Sequence, residues 1–310
     1  MLNILGKRYW FFGLSALLIL PGLIIMLIYG LPLSIDFTGG SLLEIKVKSG
    51  ELPKPAEVIK LYDELGITDA QVQTTGEGTL VIRSTFLDDA TRAKVVSAMA
   101  SRFSQEVEIL RFDSVGPTIG KEVTSRAAMA IAVAVFIVVL YVWFAFRGVP
   151  NAFRYGMCGI ASLLHSVAVI FSLTAIGGHF WGWEVDAMLF TALLTVVGFS
   201  MQDTIVVFDR IRENSAIYRR LPYETLVNHS IVQTLQRSIN TQLMTSEFML
   251  LAMALFGGLT LRDFSILLLV GLFFGTYASI FIAAPILVVW EKREWRRWFK
   301  RSSQAVAYHS

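Results

Sequence analysis

Apolar positions in this chain gather into long runs and do not follow the period of two residues or of 3.6 residues that marks half-buried strands and surface helices. A run crosses a bilayer when it reaches about 20 residues at about 1.5 Å rise each. Such runs occupy roughly Tyr9 to Tyr29, Ala127 to Phe146, Ala152 to Ile176, Ala187 to Phe208, Ser238 to Phe256 and Phe264 to Trp290. The pattern predicts a polytopic α-helical membrane protein with six transmembrane helices. The first run follows Lys7 and Arg8, as the core of a signal peptide would, but its length and the lack of a small-x-small cleavage site mark an uncleaved anchor.

The segment Leu31 to Arg126 breaks this pattern and reads as a soluble domain with 11 basic and 14 acidic residues. A β-branched run at Ser41 to Val47 precedes a helical period at Pro55 to Leu65. Strands at Ala70 to Thr74 and Thr79 to Ser84 flank a Gly76-Glu77-Gly78 turn. A second helix follows at Asp88 to Phe103 and a last strand at Val107 to Phe112. The order βαββαβ predicts a small ferredoxin-like α+β domain, whose neighbouring ends suit insertion between two membrane helices. The expected organisation is 1–30 as N-terminus and first helix, 31–126 as the soluble domain, 127–290 as helices two to six, and 291–310 as a tail.

Charge gives these runs a direction. Arg147 and Arg154 lie between the second and third runs, Arg210, Arg212, Arg219 and Arg220 between the fourth and fifth, and Lys292, Arg293, Arg296, Arg297, Lys300 and Arg301 after the sixth. With Lys7 and Arg8, every basic cluster falls on one side, so the positive-inside rule predicts cytoplasmic termini and an extracytoplasmic 31–126 domain. A hydrophobic share of 55% and a mean hydropathy of +0.59 agree with a life in lipid. The net charge of +3 sets topology and does not suggest a nucleic-acid partner, because the cations flank apolar runs. Cys158, the one cysteine, lies inside a run and reads as packing.

Ionisable residues inside apolar runs are the candidate chemistry, since a charge at the bilayer centre costs about 2.5–3.5 kcal/mol on insertion scales. Asp203, His165 and Glu247 qualify, and Arg237 begins the fifth run. A carboxylate that can be neutralised near an arginine is what a proton relay needs; a structural ion pair is the plainer reading. His165 reads more readily as a helix-to-helix hydrogen-bonding residue, and Glu247 as a second protonatable site or a pairing residue. Ser200 with His165 suggests an intramembrane Ser-His protease, but Gly198-Phe199-Ser200-Met201 lacks the second glycine of that signature. An aspartyl protease needs two deep aspartates, and only Asp203 is deep. No HExxH, P-loop or CxxC string is present, so neither a metal nor a nucleotide cofactor is expected. Gly271, Gly275, Ser279 and Ala283, spaced by four, form a ladder suited to close approach of another helix, a candidate face for a partner chain.

Four strings carry a resemblance. Ile35-Asp36-Phe37-Thr38-Gly39-Gly40 follows the first run and Val115-Gly116-Pro117-Thr118-Ile119-Gly120 precedes the second. Gly198 to Asn214 spans the end of the fourth, and Arg237-Ser238-Ile239-Asn240-Thr241 with Phe256-Gly257-Gly258 brackets the fifth. In this order they resemble the SecF branch of the SecD/SecF family of the bacterial Sec protein-export machinery, within the RND superfamily. The resemblance implies a half-transporter that pairs with SecD around a pseudo-two-fold axis, associates with the SecYEG channel and with YajC, and uses the proton gradient, without a cofactor, to promote passage of unfolded polypeptide. It also implies that Asp203 and Arg237 belong to the proton path, and that the outer domain holds or releases the emerging chain. Gln202 where the family usually has Asn, Ser166 where Asp is usual, and Glu247 where an apolar residue is usual are departures. An RND exporter of small molecules or lipids, and a non-transporting assembly subunit, are the alternative functions.

Overall fold

A computed structural model of the chain describes residues 3–47, 52–74, 78–103, 107–147, 151–242, 248–257 and 259–294. The elements are α1 (Arg8–Tyr29), α2 (Ile35–Thr38), β1 (Gly40–Val47), α3 (Pro55–Glu64), β2 (Gln71–Thr74), β3 (Thr79–Ser84), α4 (Asp89–Phe103) and β4 (Val107–Val115). They continue with α5 (Pro117–Phe146), α6 (Ala152–Trp181), α7 (Ala187–Ile217), α8 (Tyr223–Gln242), α9 (Phe248–Phe256), α10 (Leu259–Ala278), a π-helical turn (Ser279–Ala283) and α11 (Ala284–Glu291). The chain divides into a helical unit, Met1–Leu31 with Ile131–Trp183 and Met188–Ser310, and a sheet unit, Pro32–Ala130 with Glu184–Ala187.

In the sheet unit the four strands lie in the order β2-β3-β1-β4, and every neighbouring pair is antiparallel. Alternation along β1 and β3 turns Leu43, Ile45, Leu80 and Ile82 into one core. Val58, Leu61 and Tyr62 of α3 and Val95 and Met99 of α4, at helical spacings of three and four, complete it. Each fully buried side chain of this kind contributes about 1.5–3 kcal/mol. Pro55 starts α3 where its missing N–H costs nothing. Asp88 caps α4 by accepting from the Thr91 N–H at 2.9 Å. Opposite Glu44 and Ile45, β4 carries Leu110 as an unpaired bulge residue.

Five helices among the described residues are long and apolar enough to cross a membrane: Leu5–Tyr29, Pro117–Phe146, Ala152–Trp181, Ala187–Ile217 and Leu261–Glu291. The chain is thus a mostly helical, multi-pass membrane protein with a small sheet. The run expected as a fifth span, Ser238 to Phe256, is shared between the end of α8 and α9, with 243–247 outside the described residues. Most of α8 precedes that run and is polar.

Packing here uses small residues. A Cβ built on Gly22 of α1 would lie 2.3 Å from the Ser172 backbone of α6, and the Ser172 hydroxyl donates to the Leu18 carbonyl at 2.8 Å. The ladder on the last span corrects an expectation. Gly271 faces Val196 and Ile170, Gly275 faces Ser200 with a built Cβ only 3.2 Å away, and Ser279 and Ala283 are fully buried. The helices that approach it are α6 and α7 of the same chain, so this stripe is not a surface left for a partner. Between α10 and α11 stands the π-helical turn, just before Pro285. Proline has no N–H to donate and crowds the carbonyl four residues back, which opens the regular ladder there.

At one end of the helical unit the charges form a clasp. Arg8 donates to Glu224 at 2.9 Å and to Glu294 at 2.7 Å, Tyr9 donates its hydroxyl to Glu294 at 2.8 Å, and Lys292 pairs with Glu224. Asn228 Oδ1 accepts from the Ile4 and Leu5 N–H groups at 2.9 and 3.3 Å. The start of α1, the start of α8 and the end of α11 are held together by these bonds.

Candidate functional site

Asp203 lies on α7 and is half-buried. Its carboxylate accepts a hydrogen bond from Thr276 Oγ1 of α10 at 2.6 Å. Arg237 is exposed on α8, and no ion pair within 4.0 Å joins it to Asp203.

The next residue along α10 serves the other buried ionisable group. Tyr277 places its ring 5.9 Å from that of His165 of α6, while its hydroxyl donates to the Phe11 carbonyl at 2.9 Å. His165 is buried, and neither of its ring nitrogens has a hydrogen-bond partner among the described residues. Asp203 and His165 thus contact consecutive residues of one helix and do not contact each other. Glu247 lies outside the described residues.

Four buried hydroxyls pack where α6 and α7 meet. Ser166 Oγ lies 3.1 Å from Ser200 Oγ, and Thr204 Oγ1 lies 3.4 Å from Ser162 Oγ. Ser200 is also 3.5 Å from the Gly275 carbonyl. The departure at position 166 thus puts a short neutral hydroxyl into a neutral cluster. Ser200 has no hydrogen bond to His165, so the activating base that a serine nucleophile needs is not supplied. Gln202 is exposed and outside this cluster. Among the described residues, no group of three His, Cys, Asp or Glu side chains is placed to hold a metal ion.

The two glycine-bearing strings meet in the sheet unit. Gly39 at φ +73° and Gly40 at φ +125° adopt conformations that side chains rarely take, and a Cβ on Gly40 would lie 2.7 Å from the Ser84 carbonyl. A Cβ on Gly120 would meet the Gly39 nitrogen at 2.9 Å, and the Pro117 Cα is 3.1 Å from the corresponding point on Gly39. Thr124 donates its hydroxyl to the Phe37 carbonyl at 3.1 Å and Thr38 donates to Ser34 at 3.0 Å. Gly116 is the single residue between β4 and α5. Asp36, half-buried beside this knot, accepts from the Ala187 N–H at the start of α7 across 3.3 Å.

Sequence reasoning missed Thr276, Tyr277 and the paired hydroxyls. The signal was present: Ser162 with Ser166 and Ser200 with Thr204 are i, i+4 pairs on adjacent runs, each a polar stripe on one helix face. Nothing in the string marks Thr276 as the partner of Asp203.

The model of the family "Protein export membrane protein SecD/SecF, C-terminal" matches residues 95–293, and that of the "SecD/SecF GG Motif" matches residues 24–51. The chain is 66% identical to the protein translocase subunit SecF of Anaerolinea thermophila, over 98% of this chain and 99% of that one. It is 35% identical to the protein translocase subunit SecDF of Thermus thermophilus, over 85% of this chain and 35% of that longer one. The crystal structure of Thermus SecDF, a translocon-associated membrane protein, superposes with a TM-score of 0.79 at 32% identity, over 94% of this chain and 39% of that chain. With both family models matched in chain order and a relative alike from end to end, this chain belongs to the SecD/SecF family of protein-export membrane proteins.

Proposed function

We propose that the chain is the SecF-type accessory subunit of a Sec translocase, one that pairs with SecD and uses the proton motive force to promote movement of unfolded polypeptide through SecYEG. The observation that carries this reading is the half-buried Asp203, hydrogen-bonded to Thr276. Desolvation favours a neutral carboxyl and a nearby guanidinium favours a charged one, so helix movement that changes their separation loads or empties the site. One charge crossing 100 mV releases about 2.3 kcal/mol, enough to bias a two-state helix arrangement about fiftyfold.

Relatives in which SecD and SecF share one longer chain support SecD as the partner. YajC is a further associate in this reading. His165 and Glu247 are secondary members of the proton path, and no cofactor takes part. The strand order β2-β3-β1-β4 after a βαββαβ succession supports a ferredoxin-like outer domain. The basic clusters support cytoplasmic termini in the inner membrane, with α8 and α9 together supplying a sixth crossing. The test is gradient-stimulated export in vesicles holding this chain, SecD and the channel. Asp203→Asn keeps size but cannot titrate, and it removes the gradient-dependent part while leaving partner binding intact. Normal gradient stimulation by that variant at normal expression overturns the reading. Labelling of a cysteine placed at Lys60 from the cytoplasmic side only would overturn the topology.

A further inference from the structure

Between α8 and α10 lies a cavity of about 390 Å³. Ile239 and Gln242 line it from α8, Phe273, Thr276 and Tyr277 from α10, and Phe281 from the π-helical turn. Small-molecule sites occupy about 300–1,000 Å³, and this volume falls in that range. None of the described lining residues is charged. Ile239 and Phe273 are themselves exposed, so the cavity is not sealed from the surroundings of the helices.

The polar groups on the lining are engaged, with one exception. The Thr276 hydroxyl donates to Asp203 and the Tyr277 hydroxyl to the Phe11 carbonyl. Gln242 is only 6% exposed, yet its amide nitrogen has no hydrogen-bond partner among the described residues. A primary amide carries two N–H donors, and withdrawing them from water without an acceptor is costly. The walls select what that acceptor belongs to. A charged ligand would lose its hydration here and find no counter-ion on the lining. The rings of Tyr277 and Phe281 stand 5.0 Å apart and offer an aromatic face to a flat apolar body.

We propose that this cavity binds a neutral, largely apolar molecule carrying one acceptor oxygen, a ketone, ester or amide carbonyl, with Gln242 as the donor that fixes its orientation. Binding here does not depend on the role proposed for Asp203, although Thr276 belongs to both sites.

The test uses benzophenone, a neutral aromatic ketone that cross-links on irradiation, and diphenylmethane, a hydrocarbon of similar size without the oxygen. The full chain is reconstituted with SecD in phosphatidylcholine vesicles. Radiolabelled benzophenone is expected to give saturable adducts on peptides that hold Gln242, Phe273 or Tyr277. Unlabelled benzophenone should compete about tenfold better than diphenylmethane at equal membrane concentration, the ratio that one recovered hydrogen bond gives. Gln242→Leu removes the donor and keeps the cavity apolar, so it should bring that ratio to about one while melting no lower than the native protein. Ile239→Trp fills the space and should lower labelling severalfold. Adducts that do not saturate, or that fall elsewhere on the chain, overturn the site. A tenfold preference for the ketone that persists in Gln242→Leu overturns the role of the amide. Labelling found with the chain alone and lost when SecD is added makes a partner helix the occupant, and that also overturns the proposal.

Discussion

Thr276 donates its hydroxyl to the Asp203 carboxylate across 2.6 Å, and this bond joins α10 to α7. A hydrogen bond to a charged group contributes about 1.5–3 kcal/mol, and removing the donor leaves a half-buried carboxylate short of a partner. Thr276→Val, equal in shape, is therefore expected to lower stability by about that amount and to reduce gradient-stimulated export severalfold. Thr276→Ser keeps both near native. Thermal melting in detergent and vesicle export measure the two effects, and native behaviour of Thr276→Val would show the bond to be idle.

The ladder on α10 makes a second expectation sharp, because its glycines differ in surroundings from Gly198 on α7. A Cβ on Gly271 would lie 2.6 Å from the Val196 side chain, whereas Gly198 has nothing within 4 Å. Gly271→Val should cost about 1–3 kcal/mol by overpacking. Gly198→Ala should be neutral or gain up to about 1 kcal/mol of helix preference. Melting of the two variants side by side decides it.

Gly40 and Gly30 offer a comparison in which space is separated from backbone strain. Both have positive φ, +125° and +80°, but only Gly40 has a backbone atom, the Ser84 carbonyl, inside 3 Å of a built Cβ. Gly40→Ala should destabilise the sheet unit by more than the about 1–3 kcal/mol that such a conformation alone costs. Gly30→Ala should stay within that range. Limited proteolysis of the sheet unit reads the first, and equal resistance of the two variants would refute the steric argument.

Acid should loosen the clasp around Glu224. The Lys292 and Arg8 bonds hold the Glu224 carboxyl below its ordinary value near 4.5, against the opposing effect of partial burial. A carboxyl lowered on folding stabilises the fold at pH above the unfolded value, and that stabilisation is lost as pH falls below about 4.5 through the lowered folded value. The pairs are partly exposed, so the loss is at most about 1 kcal/mol for each. Glu224→Gln should flatten the dependence of melting temperature on pH across this window and remove part of its salt sensitivity.

Much of the architecture was legible because hydropathy and period carry it. The first two apolar runs end with α1 at Tyr29 and α5 at Phe146, and the fourth begins with α7 at Ala187, although α7 continues past Phe208 to Ile217. β3 occupies Thr79–Ser84 as its alternation predicts. Helix α5 starts ten residues before its apolar run, since Pro117 begins a helix and nothing between Lys121 and Arg126 breaks it. Helix α8 was hidden by its polarity: its buried positions, among them Leu226, Val227, Ser230 and Ile231, mix hydroxyls with aliphatics and give no clean apolar stripe. In the site, Asp203 and Arg237 stand out because charge in an apolar run is costly. The Asp203–Thr276 pairing was not legible, since it depends on which helices become neighbours across 73 positions of chain.

The π-helical turn before Pro285 also alters how the last span can be read. A turn of this kind holds one residue more than an α-helical turn, and one residue corresponds to about 100° of azimuth at about 3.6 residues per turn. Positions before Ser279 and after Ala283 therefore follow two different angular registers along a single rod.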